Sequence, residues 1–227
     1  MNVAYNVDCM EYMRTLPDNA FDLAVVDPPY GIGESGSKNH TRSKLATAKN
    51  YKAFAGGDSQ PPSLDYFEQL IRVSKNQIIF GANHFADRLP NPASSCWIVW
   101  DKENGNSDFA DCELAWTSFK TAVRIFHFRW QGMLPGNMAN KEQRIHPTQK
   151  PVALYTWIYK NYAKSGNKIL DTHLGSGSSR IAAYDAGLDF VGCEIDPDYF
   201  KAQEERFKEH TAQENLFLQM EMLEGME

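Results

Sequence analysis

The chain has 227 residues, a length that fits a single domain. Its content of 42% hydrophobic and 23% charged residues is close to globular averages and excludes a disordered or fibrous chain. The formal net charge of −6 excludes a generally basic nucleic-acid binder, although it leaves room for a local basic surface.

The cysteines and the apolar segments indicate the cellular compartment and whether the protein binds a metal or a membrane. Cys9, Cys96, Cys112 and Cys193 have no metal-ligand spacing and do not form a disulfide framework. Residues 1–15 lack the apolar run of a signal peptide, and no stretch approaches the roughly 18 apolar residues of a membrane span. We therefore expect a soluble, cytoplasmic protein with reduced cysteines, no bound metal and no membrane partner.

The first part of the chain contains two short elements and a long loop. Residues 8–16 have helical spacing, with Asp8 as a plausible N-cap. Residues 21–26 form an apolar run typical of a buried parallel strand, which stops abruptly at Asp27. Residues 31–63 then predict a loop, and a loop of this length in a compact domain is usually functional or disordered.

The rest of the chain alternates helices and strands. In chain order we predict a helix at 64–74, a strand at 77–80, a short helix at 83–89, strands at 96–100, 113–119 and 122–130, a loop at 131–147, a helix at 151–163, a strand at 168–170, a helix at 178–186, a strand at 189–194 and a helix at 198–210. The strands at 113–119 and 122–130 are expected to pair as a hairpin. The alternation predicts an α/β fold with a parallel sheet.

A glycine-rich turn follows the predicted strand at 168–170 and opens the next helix. It runs from Asp171 to Ser178 and includes Gly175 and Gly177. Small residues let a ligand approach the backbone, and the N–H groups at a helix N-terminus favour a carboxylate or phosphate. A tight strand-to-helix turn would use the same glycines, so this motif alone leaves ligand binding and an ordinary turn equally open.

An acidic segment, Glu194-Ile195-Asp196, ends the next predicted strand. A carboxylate at this position can accept hydrogen bonds from ribose hydroxyls. Asp196 could alternatively cap the following helix, but Glu194 would then need a separate explanation. A glycine turn followed by a strand-end carboxylate indicates an adenosine-type ligand.

The segment Asp27-Pro28-Pro29-Tyr30 follows another predicted strand. A carboxylate and a carbonyl oxygen can together accept both hydrogens of one exocyclic amino group. The prolines stiffen the backbone that holds these acceptors, and Tyr30 offers a face for stacking a flat ring. The alternative is a Pro-Pro loop after a strand, but the combination of Asp, two prolines and an aromatic ring favours a functional role.

These motifs resemble those of S-adenosylmethionine-dependent DNA amino-methyltransferases. Asp27–Tyr30 resembles motif IV of these enzymes, His146–Pro151 resembles motif X, Asp171–Ser178 motif I and Glu194–Asp196 motif II. The catalytic motif comes first and the cofactor motifs come last. This circularly permuted order is similar to the β class, which includes phage and prophage methylases. The resemblance implies a Rossmann-like, seven-stranded mixed sheet with helices on both faces and an antiparallel hairpin at one edge.

The resemblance also implies site residues. Asp27, Pro28, Pro29 and Tyr30 would be catalytic. S-adenosyl-L-methionine would be held by Asp8, Cys9, Asp27, Thr148, Gln149, Lys150, Asp171, His173, Gly175, Ser176, Gly177, Ser178, Glu194, Ile195 and Asp196. Asp8 and Cys9 would contact its adenine, and Thr148, Gln149 and Lys150 its methionine end. Lys150 suits the carboxylate of the cofactor, and the alternative for this residue is a surface lysine at a helix start, which the helix dipole disfavours. The family usually has an aromatic residue where this chain has His173, and we interpret His173 as a turn residue rather than a catalytic base.

Double-stranded DNA is the substrate that the resemblance implies. The candidate DNA contacts are Lys38, Arg42, Lys44, Lys49, Lys52, Arg129, Lys141 and Arg144, on loops at 31–57 and 129–145 of a single methyltransferase domain. Trp130 could contact DNA or pack in the core. These loops are short for sequence recognition, so either specificity is relaxed or a second subunit contributes. We expect a homodimer.

The predicted activity is methylation of adenine N6 in a base flipped out of the duplex. Cytosine-N4 methylation is the nearest alternative, although those enzymes often have Ser at the position of Asp27. Methyltransferases that act on RNA or on protein amides also have a Pro-Pro-aromatic motif, but their cofactor motifs come first. A nucleotide-binding regulator without turnover is a third alternative.

Overall fold

The computed structural model describes residues 1–33, 57–105, 110–131, 134–135, 142 and 144–224. Most of the two predicted DNA-contacting loops therefore lies outside the described residues. The same is true of six of the basic side chains assigned to DNA: Lys38, Arg42, Lys44, Lys49, Lys52 and Lys141.

Ten strands and five α-helices are present in this part of the chain. The strands are β1 (Asn2–Tyr5), β2 (Leu23–Val26), β3 (Gln77–Phe80), β4 (Trp97–Asp101), β5 (Cys112–Thr117), β6 (Arg124–His127), β7 (Trp130–Gln131), β8 (Leu134–Pro135), β9 (Lys168–Asp171) and β10 (Asp189–Cys193). The helices are α1 (Cys9–Arg14), α2 (Leu64–Val73), α3 (Val152–Tyr162), α4 (Ser178–Asp185) and α5 (Pro197–Glu224). Two short 3₁₀ helices, Ala82–His84 and Ala86–Arg88, replace the single helix predicted at 83–89.

Eight strands form one mixed sheet in the order β1-β10-β9-β2-β3-β5-β4-β6, and β7 pairs with β8 separately. The pairs from β1 to β3 are all parallel, whereas β5 runs antiparallel to both of its neighbours. The predicted α/β architecture with a mixed sheet is confirmed, although the sheet has eight strands where the resemblance implied seven. The edge strand β1 was not predicted, because its four residues lack a strong apolar pattern.

The hairpin predicted between 113–119 and 122–130 is wrong. Strands β5 and β6 both pair with β4, which lies between them: β5 is antiparallel to β4 and β6 is parallel to it. The burial of the strands explains this order, since Ile98 and Trp100 of β4 are almost completely buried while Ile125 of β6 is 51% exposed. The more apolar strand takes the inner position, and the antiparallel hairpin at this edge is formed by β4 and β5.

The core lies on both faces of the sheet. Strand β2 is buried along its whole length, and its successive side chains point to opposite faces. Leu23 and Val25 pack in the cluster that includes Leu154 of α3, and Ala24 and Val26 pack in the cluster that includes Leu70 of α2. Helices therefore cover both faces, as predicted. In the described part of the chain, no helix combines the length and apolar character needed to cross a membrane.

The central strands β9 and β2 define the edge where a ligand can bind. They pair in parallel, with Leu23 opposite Ile169 and Ala24 opposite Leu170. From β9 the chain continues to β10 on one side, whereas from β2 it continues to β3 on the other. Ligands of open α/β sheets bind at such a switch point, outside the carboxyl ends of the strands. The turns after Asp27 and after Asp171 therefore open at the same edge.

Gly81, which follows β3, packs directly against the ring of Tyr30. Its φ is +68°, and a Cβ added there would overlap the ring. Gly187, after α4, has a similar φ of +63° but no atom within 4 Å of an added Cβ. The two positions therefore share the backbone requirement for glycine and differ in the space around it.

We expect Gly187→Ala to lower the free energy of unfolding by about 1–2 kcal/mol, through backbone strain alone. Gly81→Ala should cost roughly a further 1–3 kcal/mol, because the Tyr30 ring must also move. Denaturant unfolding of both variants measures the difference. Equal losses would show that Gly81 does not hold Tyr30 in place.

Candidate active site

The carboxylate of Asp27 is held by two side chains at the end of β2. Its Oδ1 accepts a hydrogen bond from the Tyr30 hydroxyl at 2.7 Å, and its Oδ2 accepts one from Nζ of Lys150 at 2.5 Å. The side chain of Asp27 is only 17% exposed. Pro28 is buried next to it, so both predicted acceptors lie on a backbone segment with little freedom.

Lys150 lies between two carboxylates. Its side chain is 5% exposed, and its Nζ lies 3.1 Å from Oε2 of Glu113 as well as 2.5 Å from Asp27. Glu113, on β5, also pairs with Lys102 at 2.5 Å. The alternative of a surface lysine at a helix start is therefore wrong for Lys150. Its predicted contact with the cofactor carboxylate stays a prediction.

Burial and charge act against each other in this cluster. Burial raises the pKa of Asp27, while the Lys150 ammonium lowers it. Burial also opposes the charge on Glu113, but Lys150 and Lys102 outweigh it and lower the pKa of Glu113 to about 2. For Lys150, burial lowers the pKa and the two carboxylates more than restore it, so that its net pKa is raised. Glu113 is consequently ionised and Lys150 protonated at neutral pH.

Tyr30 has a fixed hydroxyl and a ring that is already stacked. Burial and the neighbouring Asp27 raise the pKa of the phenol well above its usual value, so the hydroxyl is a donor. The ring stacks on the imidazole of His84, with centroids 5.2 Å apart and planes 16° apart. His84 is exposed and follows β3 at the same sheet edge. Sequence reasoning missed His84, although its place just after a predicted strand was a usable signal.

The glycine turn after β9 is held by Asp171. This buried carboxylate accepts hydrogen bonds from the backbone N–H of His173 at 3.0 Å and from the hydroxyl of Ser179. Burial raises the pKa of Asp171 to about 7, against the effect of these two donors. Gly175 has a φ of +52°, and a Cβ there would lie 3.8 Å from the imidazole of His146. The Asp171 carboxylate therefore holds the turn in place through these two hydrogen bonds.

The serines of the turn are buried and paired. Ser176 and Ser178 place their hydroxyl oxygens 3.1 Å apart, and Arg206 of α5 donates to Ser178 Oγ at 3.0 Å. Gly177 is the N-cap of α4, with a φ of +73°. In this structure the turn therefore presents its backbone rather than these hydroxyls.

Glu194 joins the glycine turn to the end of β10. Its Oε2 accepts from the backbone N–H of Gly175 at 2.7 Å, and its Oε1 accepts from that of Asp196 at 2.8 Å. Asp196 accepts in turn from the backbone N–H groups of Asp198 and Tyr199. The alternative reading of Asp196 as a helix cap is thus confirmed, while Glu194 has the strand-end position expected for a ribose ligand. Ile195, between them, is exposed.

The segment before α1 lies beside this carboxylate. The side-chain amide of Asn6 donates to the backbone oxygen of Glu194 at 2.7 Å. Asp8 caps α1 as predicted, accepting from the backbone N–H of Met10 at 2.6 Å. Burial raises the pKa of the Cys9 thiol to about 12, so this sulfur is neutral. Asp8 and Cys9 are therefore at the end of the sheet where the adenosine contacts were predicted.

Residues 146–150 connect the two turns. The imidazole of His146 faces Gly175, and Lys150 contacts Asp27. Between them, exposed Thr148 places its hydroxyl 3.1 Å from Nδ1 of His146, and buried Gln149 accepts from the backbone N–H of Ile145 at 2.9 Å. This segment therefore lies against both the turn that follows β2 and the turn that follows β9.

His173 is a packed turn residue. Its Nδ1 lies 2.9 Å from the hydroxyl of Thr172, and its ring meets Tyr66 edge to face at 5.5 Å. Burial lowers its pKa to about 4, so the imidazole is neutral at pH 7. These contacts agree with our interpretation that it is not a catalytic base.

Two of the predicted DNA contacts are described. Arg129 is exposed. Arg144 donates to the backbone oxygen of Pro147 at 2.8 Å and lies over the ring of Trp130, 6.0 Å from its centroid. Trp130 packs against the core and donates to the backbone oxygen of Gln149 at 2.9 Å, which confirms the core alternative for this side chain. The DNA roles of both arginines stay predictions. The described residues include no cluster of metal-ligating side chains.

Comparison with known proteins identifies the relatives of this chain. A family model described as DNA methylase, of the N6/N4 type, matches residues 97–205. The type II methyltransferase M.HinfI of Haemophilus influenzae is 22% identical over 92% of this chain and 69% of its own length.

Two solved structures share the fold. The M1.HpyAVI–SAM complex is 22% identical and superposes with a TM-score of 0.57 over 91% of this chain and all of that one. The cytosine-N4-specific PvuII DNA methyltransferase, 11% identical, superposes with a TM-score of 0.57 over 92% of this chain and 91% of its own. The chain is therefore similar to DNA methylases of the N6/N4 type over residues 97–205, and it shares the fold of a solved DNA methyltransferase.

Proposed function

We propose that this chain transfers the methyl group of S-adenosyl-L-methionine to the exocyclic N6 of an adenine flipped out of duplex DNA. The observation that carries the proposal is the arrangement of two turns. Asp27 and Pro28 follow β2, Gly175 lies in the turn after β9, and these two strands are parallel neighbours. An amine held by the first turn and a methyl donor held by the second would meet at one sheet edge.

The residues around the glycine turn fit the cofactor. Glu194 is a buried carboxylate at a strand end, and its two oxygens each have capacity beyond the single backbone hydrogen bond that they accept. Gly175 leaves open the space in front of His146 that a Cβ would fill. The bound cofactor supplies a methyl group that is activated by its cationic sulfur. We assign the ribose hydroxyls to Glu194 and the adenine to the neighbouring segment at Asp8.

Asp27 and Pro28 prepare the nucleophile. The amino lone pair of adenine is delocalised into the ring, so the free amine is a poor nucleophile. Hydrogen bonds from this amine to the Asp27 carboxylate and the Pro28 carbonyl would favour tetrahedral nitrogen and direct the lone pair toward the methyl group. Orientation lowers the barrier by several kcal/mol, and acceptors placed next to the developing positive charge lower it further.

The base assignment depends on Asp27. A carboxylate suits the adenine-N6 enzymes, whereas cytosine-N4 enzymes often have Ser in its place. The similarity to the cytosine-N4 enzyme is a similarity of fold and does not decide the base. Flipping the base costs a few kcal/mol, which phosphate contacts and stacking against aromatic side chains would offset. We assign the phosphate contacts to the basic loop at 38–52 and to Arg129, and we keep a homodimer as a prediction.

Mass spectrometry of nucleosides from DNA incubated with the protein and cofactor tests the activity. We expect N6-methyladenine, and we expect Asp27→Asn to lower its yield by roughly 10²–10³-fold, as for removal of one preorganised electrostatic partner. Calorimetry should give a cofactor affinity close to that of the wild type, because the carboxylate is assigned to the target amine. Asp65→Asn makes the same chemical change in a surface ion pair with Arg14 and should leave the yield unchanged.

The other outcomes of this experiment are decisive. N4-methylcytosine in place of N6-methyladenine would reverse the base assignment. Cofactor binding without methyl transfer to any DNA would favour the alternative that the protein is a nucleotide-binding regulator without turnover.

Glu194→Gln tests the cofactor site. We expect roughly 10–100-fold weaker binding of S-adenosylhomocysteine, because hydrogen bonds to a charged acceptor contribute about 1.5–3 kcal/mol. Isothermal titration measures the affinity, and the melting temperature checks that the turn is still folded. Glu11→Gln, an exposed substitution of the same kind, is the control. Unchanged affinity in a folded Glu194→Gln protein would remove Glu194 from the cofactor site.

A further inference from the structure

Four alternating charges lead from the β4–β5 hairpin to the proposed catalytic carboxylate. Lys102 pairs with Glu113 at 2.5 Å, Glu113 with Lys150 at 3.1 Å, and Lys150 with Asp27 at 2.5 Å. No side chain in this series is more than 23% exposed. The series contains two cations and two anions, so its formal charge is zero when all four groups are ionised.

The four side chains come from distant parts of the chain. Glu113 lies on β5 opposite Trp100 of β4, and the backbone N–H of Lys102 continues this ladder by donating to Asp111 at 2.9 Å. Lys150 arrives from the segment before α3, 123 residues after Asp27. Removing charges from water costs several kcal/mol per ion, and such pairs are often no more stabilising than apolar packing. Stability alone is therefore a weak reason for this arrangement beside Asp27.

We propose that Lys150 and Glu113 are positioning residues for methyl transfer: Glu113 holds the Lys150 ammonium against Asp27, and the ammonium keeps the Asp27 carboxylate ionised and oriented toward the target amine. This inference rests on the proposed function of Asp27. Neither residue was assigned this role by the sequence. Lys150 was expected at the cofactor carboxylate, and Glu113 was not singled out.

Lys150 and Glu113 have opposite effects on the pKa of Asp27. The described titratable groups that influence Asp27 or respond to it are Lys150, Glu113, Tyr30, Tyr66, Tyr155 and Asp171. Lys150 lowers the pKa of Asp27, whereas Glu113 raises it. Removing the lysine charge should therefore make Asp27 easier to protonate. Removing the glutamate charge should make it harder to protonate, provided that Lys150 stays in place.

The test is the pH dependence of single-turnover methyl transfer at saturating cofactor and DNA, which separates the chemical step from product release. If transfer requires ionised Asp27, the rate falls on the acidic side as Asp27 is protonated. Lys150→Met should move the acidic midpoint upward by roughly 1–3 pH units, the usual effect of losing an adjacent opposite charge. Glu113→Gln should move it downward.

Two controls separate positioning from folding. Lys150→Arg keeps the positive charge and should retain the wild-type midpoint even if its maximal rate falls. Asp65→Asn should change neither midpoint nor rate. If Lys150→Met does not fold, as judged by its melting curve, the downward shift of the acidic midpoint in Glu113→Gln is the test of the positioning role.

Midpoints that stay fixed, or that move in the same direction in both variants, would overturn the inference. Loss of cofactor affinity in Lys150→Met without a shifted midpoint would instead support the contact between Lys150 and the carboxylate of the cofactor. Failure of the proposed function gives a different result, since the wild-type protein would then transfer no methyl group at any pH.

Discussion

The ion pair between Lys150 and Asp27 is the contact on which the site depends. A carboxylate at a buried strand end is costly to ionise, because burial favours its neutral form. The ammonium at 2.5 Å opposes this effect of burial on the pKa of Asp27, and the second carboxylate oxygen accepts from Tyr30. The same contact ties the segment before α3 to the end of β2. This one interaction therefore acts on both the charge and the position of Asp27 in the proposed amine site.

The proposed cofactor half of the site is built differently, from a backbone turn that two carboxylates hold in place. Asp171 accepts a hydrogen bond from the backbone N–H of His173 in the glycine turn. Glu194 accepts one from the backbone N–H of Gly175 and so connects the turn to the end of β10. The segment from His146 to Lys150 touches both halves, with His146 against Gly175 and Lys150 against Asp27. This segment therefore fixes the position of the two turns relative to each other.

The sequence predicted the elements of this site better than their partners. The apolar runs of β2 and β3 and the glycine turn are local patterns, and each was placed within one or two residues. The order of β4, β5 and β6 was wrong, because alternation predicts a strand but not its neighbour in the sheet. Lys150 and Glu113 were missed as partners for the same reason. Their contact joins segments that are distant in sequence, and nothing near either residue encodes it.

A crystal structure with S-adenosylhomocysteine tests most directly the claim that two pockets meet at one sheet edge. We expect the ribose to lie on Glu194 and the sulfur to point toward Asp27. The gap between them should fit an amino group about 3–3.5 Å from the methyl position. An adenosine bound against Asp27, or a ligand bound away from Gly175, would show that the two turns do not form the proposed pockets.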